Sequence, residues 1–315
     1  MMALRILFMG TAELSCASLQ GLAGEAKFQI AAVVTQPDRP KGRDLKPQPS
    51  PVKTLALRLG LPVLQPERAR DEKFIAELLA LQPDLIIVVA YGQILPPAIL
   101  DLPRHGCLNV HTSLLPKYRG AAPIQWAILE GESQTGVTIM KMDAGMDTGA
   151  ILTQRCTPIT PEDNGATLHD RLALLGAELL LATIPGYVAG EIVPRPQPAE
   201  GVTYAPKIKK TDGHIDWTLP ARTIFNRWRA FTPWPGAYAS WTTGAKAHTL
   251  KIWAAQVMEQ SGPAGEVLPS TKDGVVVGCG EGSLRITELQ REGGRRMTAG
   301  EFLAGHPLRP GERLG

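Results

Sequence analysis

The 315-residue chain lacks most of the signals that would commit it to a metal, disulfide, membrane or dinucleotide-binding class. Its four cysteines, Cys16, Cys107, Cys156 and Cys279, are scattered, with no CxxC pair and no histidines at metal-ligand intervals. That argues against a zinc centre or a disulfide framework, leaves no metal to assign, and fits a reducing compartment, here expected to be the cytoplasm. No uninterrupted apolar run reaches the roughly 18 to 20 residues that span a bilayer, so no membrane partner is expected. The apolar run LRILFM (4–9) is closed by Gly10-Thr11 and reads as a first strand rather than a leader. GxGxxG is absent, which argues against a bound dinucleotide and leaves Gly10 as a turn residue between strand and helix. No heptad seam demands a dimer, and a monomer is expected.

Charge is sparse as well. A net of +3 does not announce a nucleic-acid partner, but its distribution is uneven. Residues 207–315 hold 15 Lys and Arg against 10 Asp and Glu, whereas residues 1–206 hold 18 against 20. The later part of the chain is therefore the better surface for a polyanion.

What is present is a regular alternation of strands and helices. The strand 4–9, the helical stretch ELSCASLQGLAG (13–24) and the strand FQIAAVVTQ (28–36) open a βαβ pattern. Helical 52–60 and 71–82 then alternate with strands at 61–65 and 83–92, and the β-branched run PDLIIVVAYG reads as a strand buried on both faces. The fold class is thus α/β, a Rossmann-like parallel sheet, in which ligands collect outside the carboxyl ends of the strands. Composition changes at 191–206, where prolines crowd and periodicity stops, as in a linker. Beyond it, a helix at 220–231 and five short strands with glycine-bearing turns suggest a small antiparallel barrel of the OB type. The expected organisation is a domain over 1–190, a linker over 191–206 and a barrel over 207–315.

Two stretches stand out for chemistry. Gln36 to Val52, QPDRPKGRDLKPQPSPV, is a long connection where such a sheet normally turns in a few residues. Its Arg39, Lys41, Arg43 and Lys46 suit a phosphate backbone, and equally a solvated surface loop. The second stretch, CLNVHTSLLPKYRGAAPIQWAILEGESQTGVTIMKMDAGMDTG (107–149), sets Asn109 and His111 two apart, on one face if the run is a strand. Asp143 and Asp147 follow in a glycine-bearing loop and compete as an acid partner. An amide, an imidazole and a carboxylate brought together polarise a carbonyl and move protons, which is acyl-transfer chemistry.

At NVHTSLLPKYRGAAPIQWAILEG and TGVTIMKMDAGMDTG the sequence resembles the folate-dependent formyltransferases. Further pieces, TQPDRPKGR, PSPVK, VVAYGQILP, TYAPKI, PWPGAY, LQREGGRRM and EFLAG, extend the resemblance over nearly the whole chain and towards the branch of that family acting on methionyl initiator tRNA. The chain departs from the family pattern at Ala12 and Thr112, neither of which removes a catalytic group. The resemblance implies transfer of a formyl group from 10-formyltetrahydrofolate to the α-amine of methionyl-tRNA. It implies Asn109, His111 and Asp147 as the catalytic set, with Asp143 a turn residue. Ser113, Leu114, Leu115 and Pro116 become the folate-contacting segment, with Tyr91 and Leu95 walling the pocket, and Arg43, Lys41 and Arg39 are implied to meet the charged tRNA. Two rivals remain open on the residues alone: a formyltransferase for a small amine such as a ribonucleotide or amino sugar nucleotide, and a catalytically silent RNA-binding protein.

Overall fold

The computed structural model describes residues 3–41, 46–243, 246–269 and 273–315. They form two compact units, one of Met1–Pro123, Gln134–Pro158 and Leu168–Ala205, the other of Ile124–Ser133, Ile159–Thr167 and Pro206–Gly315.

The first unit runs β1 (Leu4–Gly10), α1 (Leu14–Ala23), β2 (Phe28–Val34), β3 (Arg39–Lys41), β4 (Lys46–Gln48), α2 (Pro51–Arg58), β5 (Val63–Leu64), α3 (Glu72–Leu81), β6 (Leu85–Val89), α4 (Pro97–Leu100), β7 (Cys107–His111) and β8 (Arg119–Gly120). After α5 (Pro123–Leu129), which from Ile124 on belongs to the second unit, come β9 (Gln134–Lys141), β10 (Ile151–Pro158), α6 (Gly165–Val188), of the first unit from Leu168 on, and β11 (Tyr204–Ala205). Seven strands make one sheet in the order β10-β9-β7-β6-β1-β2-β5. The expected parallel core is there, from β5 to β7, and β9 and β10 add an antiparallel edge. All five residues of β6, LIIVV, are buried, as a strand covered on both faces requires. A Cβ on Gly10 would lie 2.8 Å from both the Phe8 ring and the Ser15 side chain, so glycine here lets the start of α1 close onto β1. The same Ser15 hydroxyl donates to the Val89 carbonyl at 2.6 Å.

α6 is the one described helix long and apolar enough to cross a membrane by length and composition. It serves as a core helix: Leu168, Leu172, Leu180 and Ile184 are fully buried, and Gly176 lies close against Val110 of β7 and Val137 of β9.

The long Gln36 to Val52 connection is an arm in which β3 and β4 pair antiparallel, with Arg39 opposite Gln48 and Lys41 opposite Lys46. Its base is fastened. Lys53 Nζ donates to both Asp38 oxygens at 2.9 and 2.8 Å, Gln65 donates to Asp38 at 2.8 Å, and Thr35 and Ser50 share a hydroxyl contact at 2.7 Å. The bonds from Lys53 and Gln65 hold the Asp38 carboxyl below its ordinary pKa. Ser50 also caps α2 through Lys53 N, 3.0 Å away, and Pro51 opens that helix. Arg39 is exposed, 3.5 Å from Glu67. Arg43 lies outside the described residues.

In the second unit α7 (Ala221–Ala230) precedes β12 (Ala237–Thr243), β13 (Lys246–Met258), β14 (Val267–Leu268), β15 (Val275–Gly278), β16 (Ser283–Arg291), β17 (Met297–Thr298) and α8 (Ala299–Gly305). These strands form an antiparallel sheet in the order β12-β13-β16-β15-β14, with β17 on β16. Register shifts in β13 around Ala254 mark bulges, which bend a strand and curl its sheet. Trp241, Ile252, Val277, Leu284, Ile286 and Phe302 fill the inside. The final residues touch both edges of the sheet: Gly315 N donates to Ser240 O at 2.9 Å on the β12 side, and Leu314 N to Gly265 O at 2.8 Å beside β14.

Burial pushes the Cys107 thiol up to about 12 and the Cys16 and Cys279 thiols up to about 11, so each is almost entirely protonated, and unreactive, at pH 8. Cys156 is exposed. A thiol reagent at pH 8, followed by peptide mass spectrometry, is expected to label Cys156 in the native protein and the other three only on unfolding. Rapid native labelling of Cys107 would contradict the packing of β7.

Candidate active site

Asn109 and His111 lie on β7, whose two neighbours hold it centrally: Asn109 is opposite Val88 on β6 and Met140 on β9. The two side chains project from one face of the sheet, as their spacing requires. Asp147 reaches the same place on the loop between β9 and β10. Asn109 Nδ2 is 3.4 Å from Asp147 Oδ1, and His111 Nδ1 is 3.7 Å from Asp147 Oδ2. The imidazole is buried and the carboxylate nearly so, with 6% and 17% of their side chains exposed. The amide, the imidazole and the carboxylate therefore meet. Asp143, the competing acid, caps its own turn, accepting from Gly145 N at 3.0 Å and from the Thr148 hydroxyl at 2.7 Å.

Backbone geometry explains how a carboxylate comes to sit there. Asp147 has φ of 54°, a left-handed conformation that few side chains tolerate and that Asp and Asn adopt most readily. The loop around it is tight, since a Cβ on Gly149 would fall 1.9 Å from the Lys141 carbonyl. Its Oδ2 accepts a hydrogen bond from Gly120 N at 2.8 Å. Gly120 has φ of 120°, and a Cβ there would lie 2.8 Å from the Ala205 carbonyl. Only glycine fits this position, which explains the Arg-Gly pair in KYRG.

His111 is held from its other side. Nε2 lies 2.9 Å from the Tyr118 carbonyl, and a carbonyl only accepts, so Nε2 carries a proton. Nδ1 is left facing the carboxylate. Of the expected folate-contacting residues, Ser113 and Leu115 are buried and Leu114 is half-buried. The Ser113 hydroxyl donates to Lys117 O at 2.6 Å. The Thr138 hydroxyl donates to Ser113 O and accepts from Leu115 N, while Gln154 Nε2 donates to Leu115 O. Leu114 packs on Gly136. The Pro116 carbonyl accepts from Thr203 N at 3.4 Å. Tyr91 and Leu95 sit in the sheet's core with Met9, Phe74 and Ile86, and burial pushes the Tyr91 hydroxyl up to about 12.

A cavity of about 460 Å³ opens beside the Asp147 loop, lined by Pro97, Leu100, Arg104, Lys141, Met142, Asp143 and Ala144 among others. Its volume is in the range of small-molecule sites. The sequence pointed to the strand end and not to these residues. The stretch KMDAGMDTG carries Lys141, Met142, Asp143 and Ala144 of this lining.

The fold and this cluster can be compared with known proteins. The formyl transferase family model matches residues 4–184, and the model for the formyl transferase C-terminal domain matches 207–307. This chain belongs to the formyltransferase family. The methionyl-tRNA formyltransferase of Citrifermentans bemidjiense is 51% identical over 315 residues, which are 100% of this chain and 98% of that one. Its namesake from Myxococcus xanthus is 50% identical over 312 residues, 98% and 97% of the two chains. Among solved structures, an N-formyltransferase from Helicobacter canadensis, in complex with folinic acid and dTDP-3-aminofucose, superposes with a TM-score of 0.63 at 18% identity, covering 94% of this chain and 100% of that one. HypX from Aquifex aeolicus in complex with tetrahydrofolic acid gives 0.60 at 20% identity over 99% of this chain, which spans about half (50%) of HypX. At such identities these two structures speak for the formyltransferase fold alone.

The strain at Gly120 is testable without an assay. Gly120→Ala is expected to lower the unfolding free energy by roughly 1 to 3 kcal/mol, measured by urea denaturation. Unchanged stability would contradict the close approach to Ala205.

Proposed function

We propose that this formyltransferase moves the formyl group of 10-formyltetrahydrofolate onto the α-amine of methionyl initiator tRNA. The observation that carries the reading is that likeness to methionyl-tRNA formyltransferases at about half identity runs through both units and the basic arm. A small-amine acceptor would need neither the arm nor the basic 207–315 stretch.

The folate supplies an activated formyl group, and the cavity beside the Asp147 loop is our proposed place for it, with Ser113, Leu114, Leu115 and Pro116 proposed as a further folate-contacting segment. Asn109 offers an amide N–H to the negative charge that develops on the formyl oxygen, a donor that does not titrate. His111, with Nε2 fixed on Tyr118, works through Nδ1. Asp147 orients that ring and draws the proton from the attacking amine, directly or through a water. The proton that N10 needs on leaving then comes from the same imidazole and carboxylate pair.

For the acceptor, we propose that Arg39, Lys41 and Arg43 on the arm meet the tRNA backbone, on an arm whose base is fastened by Asp38, Lys53 and Ser50. The curled sheet of the second unit we read as OB-like, with the terminal residues bridging its two edges, and as a tRNA-binding surface. A domain over 1–190, a linker over 191–206 and a barrel over 207–315 remain the proposed working division. Four free thiols are in keeping with a cytoplasmic home.

Asp147→Asn retains a residue that accepts the left-handed backbone, so the protein should stay folded while formylation of methionyl-tRNA is abolished. Near-normal turnover would overturn the assignment. Asn109→Ala should lose about 10² to 10³ in kcat, as one oxyanion donor does. Arg43→Ala should raise KM for tRNA with little change in folate binding by fluorescence titration. Equal loss in both would count against a role for the arm in acceptor binding.

A further inference from the structure

The carboxylate of Asp147 is oriented by Gly120, but the backbone that carries it is held by a residue far away in the chain. Gln197 Nε2 donates to the Asp147 carbonyl at 2.7 Å and to the Gly149 carbonyl at 2.8 Å, so one amide clamps both sides of the tight turn. Its Oε1 accepts from Arg119 at two points, Nε at 3.1 Å and Nη2 at 2.8 Å. Because a guanidinium only donates, the amide cannot turn over: its oxygen stays on Arg119 and its N–H groups stay on the loop.

The same stretch is laced to the site at further points. Arg195 and Ile151 exchange backbone bonds at 2.8 Å in each direction. The Thr203 hydroxyl accepts from Tyr118 N at 2.8 Å, next to the carbonyl that holds His111. Tyr204 and Ala205 pair with Arg119 and Gly120. Residues 195–205, with the composition of a linker, therefore form a strap of the first unit across the loops that hold His111 and Asp147.

We infer that Gln197, locked by Arg119, is a positioning residue for formyl transfer, setting the place of Asp147 relative to Asn109 and His111. It rests on the reading of Asp147 as the working carboxylate. Gln197 touches neither reacting atom. It holds a left-handed turn that would otherwise relax, and a shift of about 1 Å at such a group can cost on the order of a hundredfold in rate. The loss should fall on kcat, since neither substrate is bound by the clamp.

The test is steady-state kinetics of full-length protein with methionyl-tRNA and 10-formyltetrahydrofolate, alongside ¹⁵N spectra of the histidine rings. Gln197→Glu keeps the size and the bond to Arg119 but replaces the donor to the two carbonyls with an acceptor. It is expected to lower kcat by about 10- to 100-fold, leave both KM values within about twofold, keep a cooperative melt, and move the His111 ring signals. Arg119→Ala, which frees the amide to turn, should act in the same direction and less. Wild-type kcat in Gln197→Glu overturns the inference. So does a loss shared by kcat and KM with unmoved His111 signals, which is what general loosening would give. Asp147→Asn run in parallel separates the two readings. If that variant is active while Gln197→Glu is slow, Asp147 is not the working carboxylate and Gln197 does not act through it. If Asp147→Asn is inactive and Gln197→Glu is normal, only the clamp is wrong.

Discussion

The structure turns on one carboxylate held in an unfavourable backbone. Asp147 sits at φ of 54°, where most side chains are excluded, and its position is determined from three directions: Gly120 N on Oδ2, Asn109 against Oδ1, and His111 facing Oδ2. A non-glycine residue in that region costs about 1 to 3 kcal/mol, which persists only where the surroundings over-determine it. The surroundings are rigid. β7 is central in the sheet, Gly149 is wedged on Lys141 O, and Gly120 is wedged on Ala205 O. On the proposed reading, what this rigidity secures is pre-organisation, with donors and acceptor aimed before substrate arrives.

From that constraint the rest of the first unit follows in order. The parallel strands deliver Asn109 and His111 to one face, and the antiparallel pair β9 and β10 exists to bring a loop back over that face with Asp147 on it. Thr138 and Gln154, on those same two strands, fasten the 113–115 segment from beneath. The antiparallel edge thus helps to build the cluster of Asn109, His111 and Asp147 and is not an accessory to the sheet.

Much of this was legible in the sequence because it is local. LIIVV reads as a buried strand from its own composition, and Asn109 and His111 share a face by period two. The family resemblance implied Asp147 rather than Asp143, and in the structure Asp143 spends its oxygen on its own turn. What could not be read were contacts whose partners are far apart in the chain. Gln197 lies fifty residues beyond Asp147 in a proline-rich stretch without periodicity, and composition there says only that no regular element forms. The antiparallel edge was hidden for the same reason, because strand direction depends on how a loop returns and not on the strand's residues. The bonds of the last residues to both edges of the C-terminal sheet likewise appear only in three dimensions.

We propose that this site serves a macromolecular acceptor. The most direct measurement offers the full-length protein, with 10-formyltetrahydrofolate, an equimolar mixture of methionyl initiator tRNA and a small amine such as an amino sugar nucleotide, and follows labelled formyl into each. The account predicts formyl on the tRNA and none above background on the small amine. Faster formylation of the small amine would contradict it.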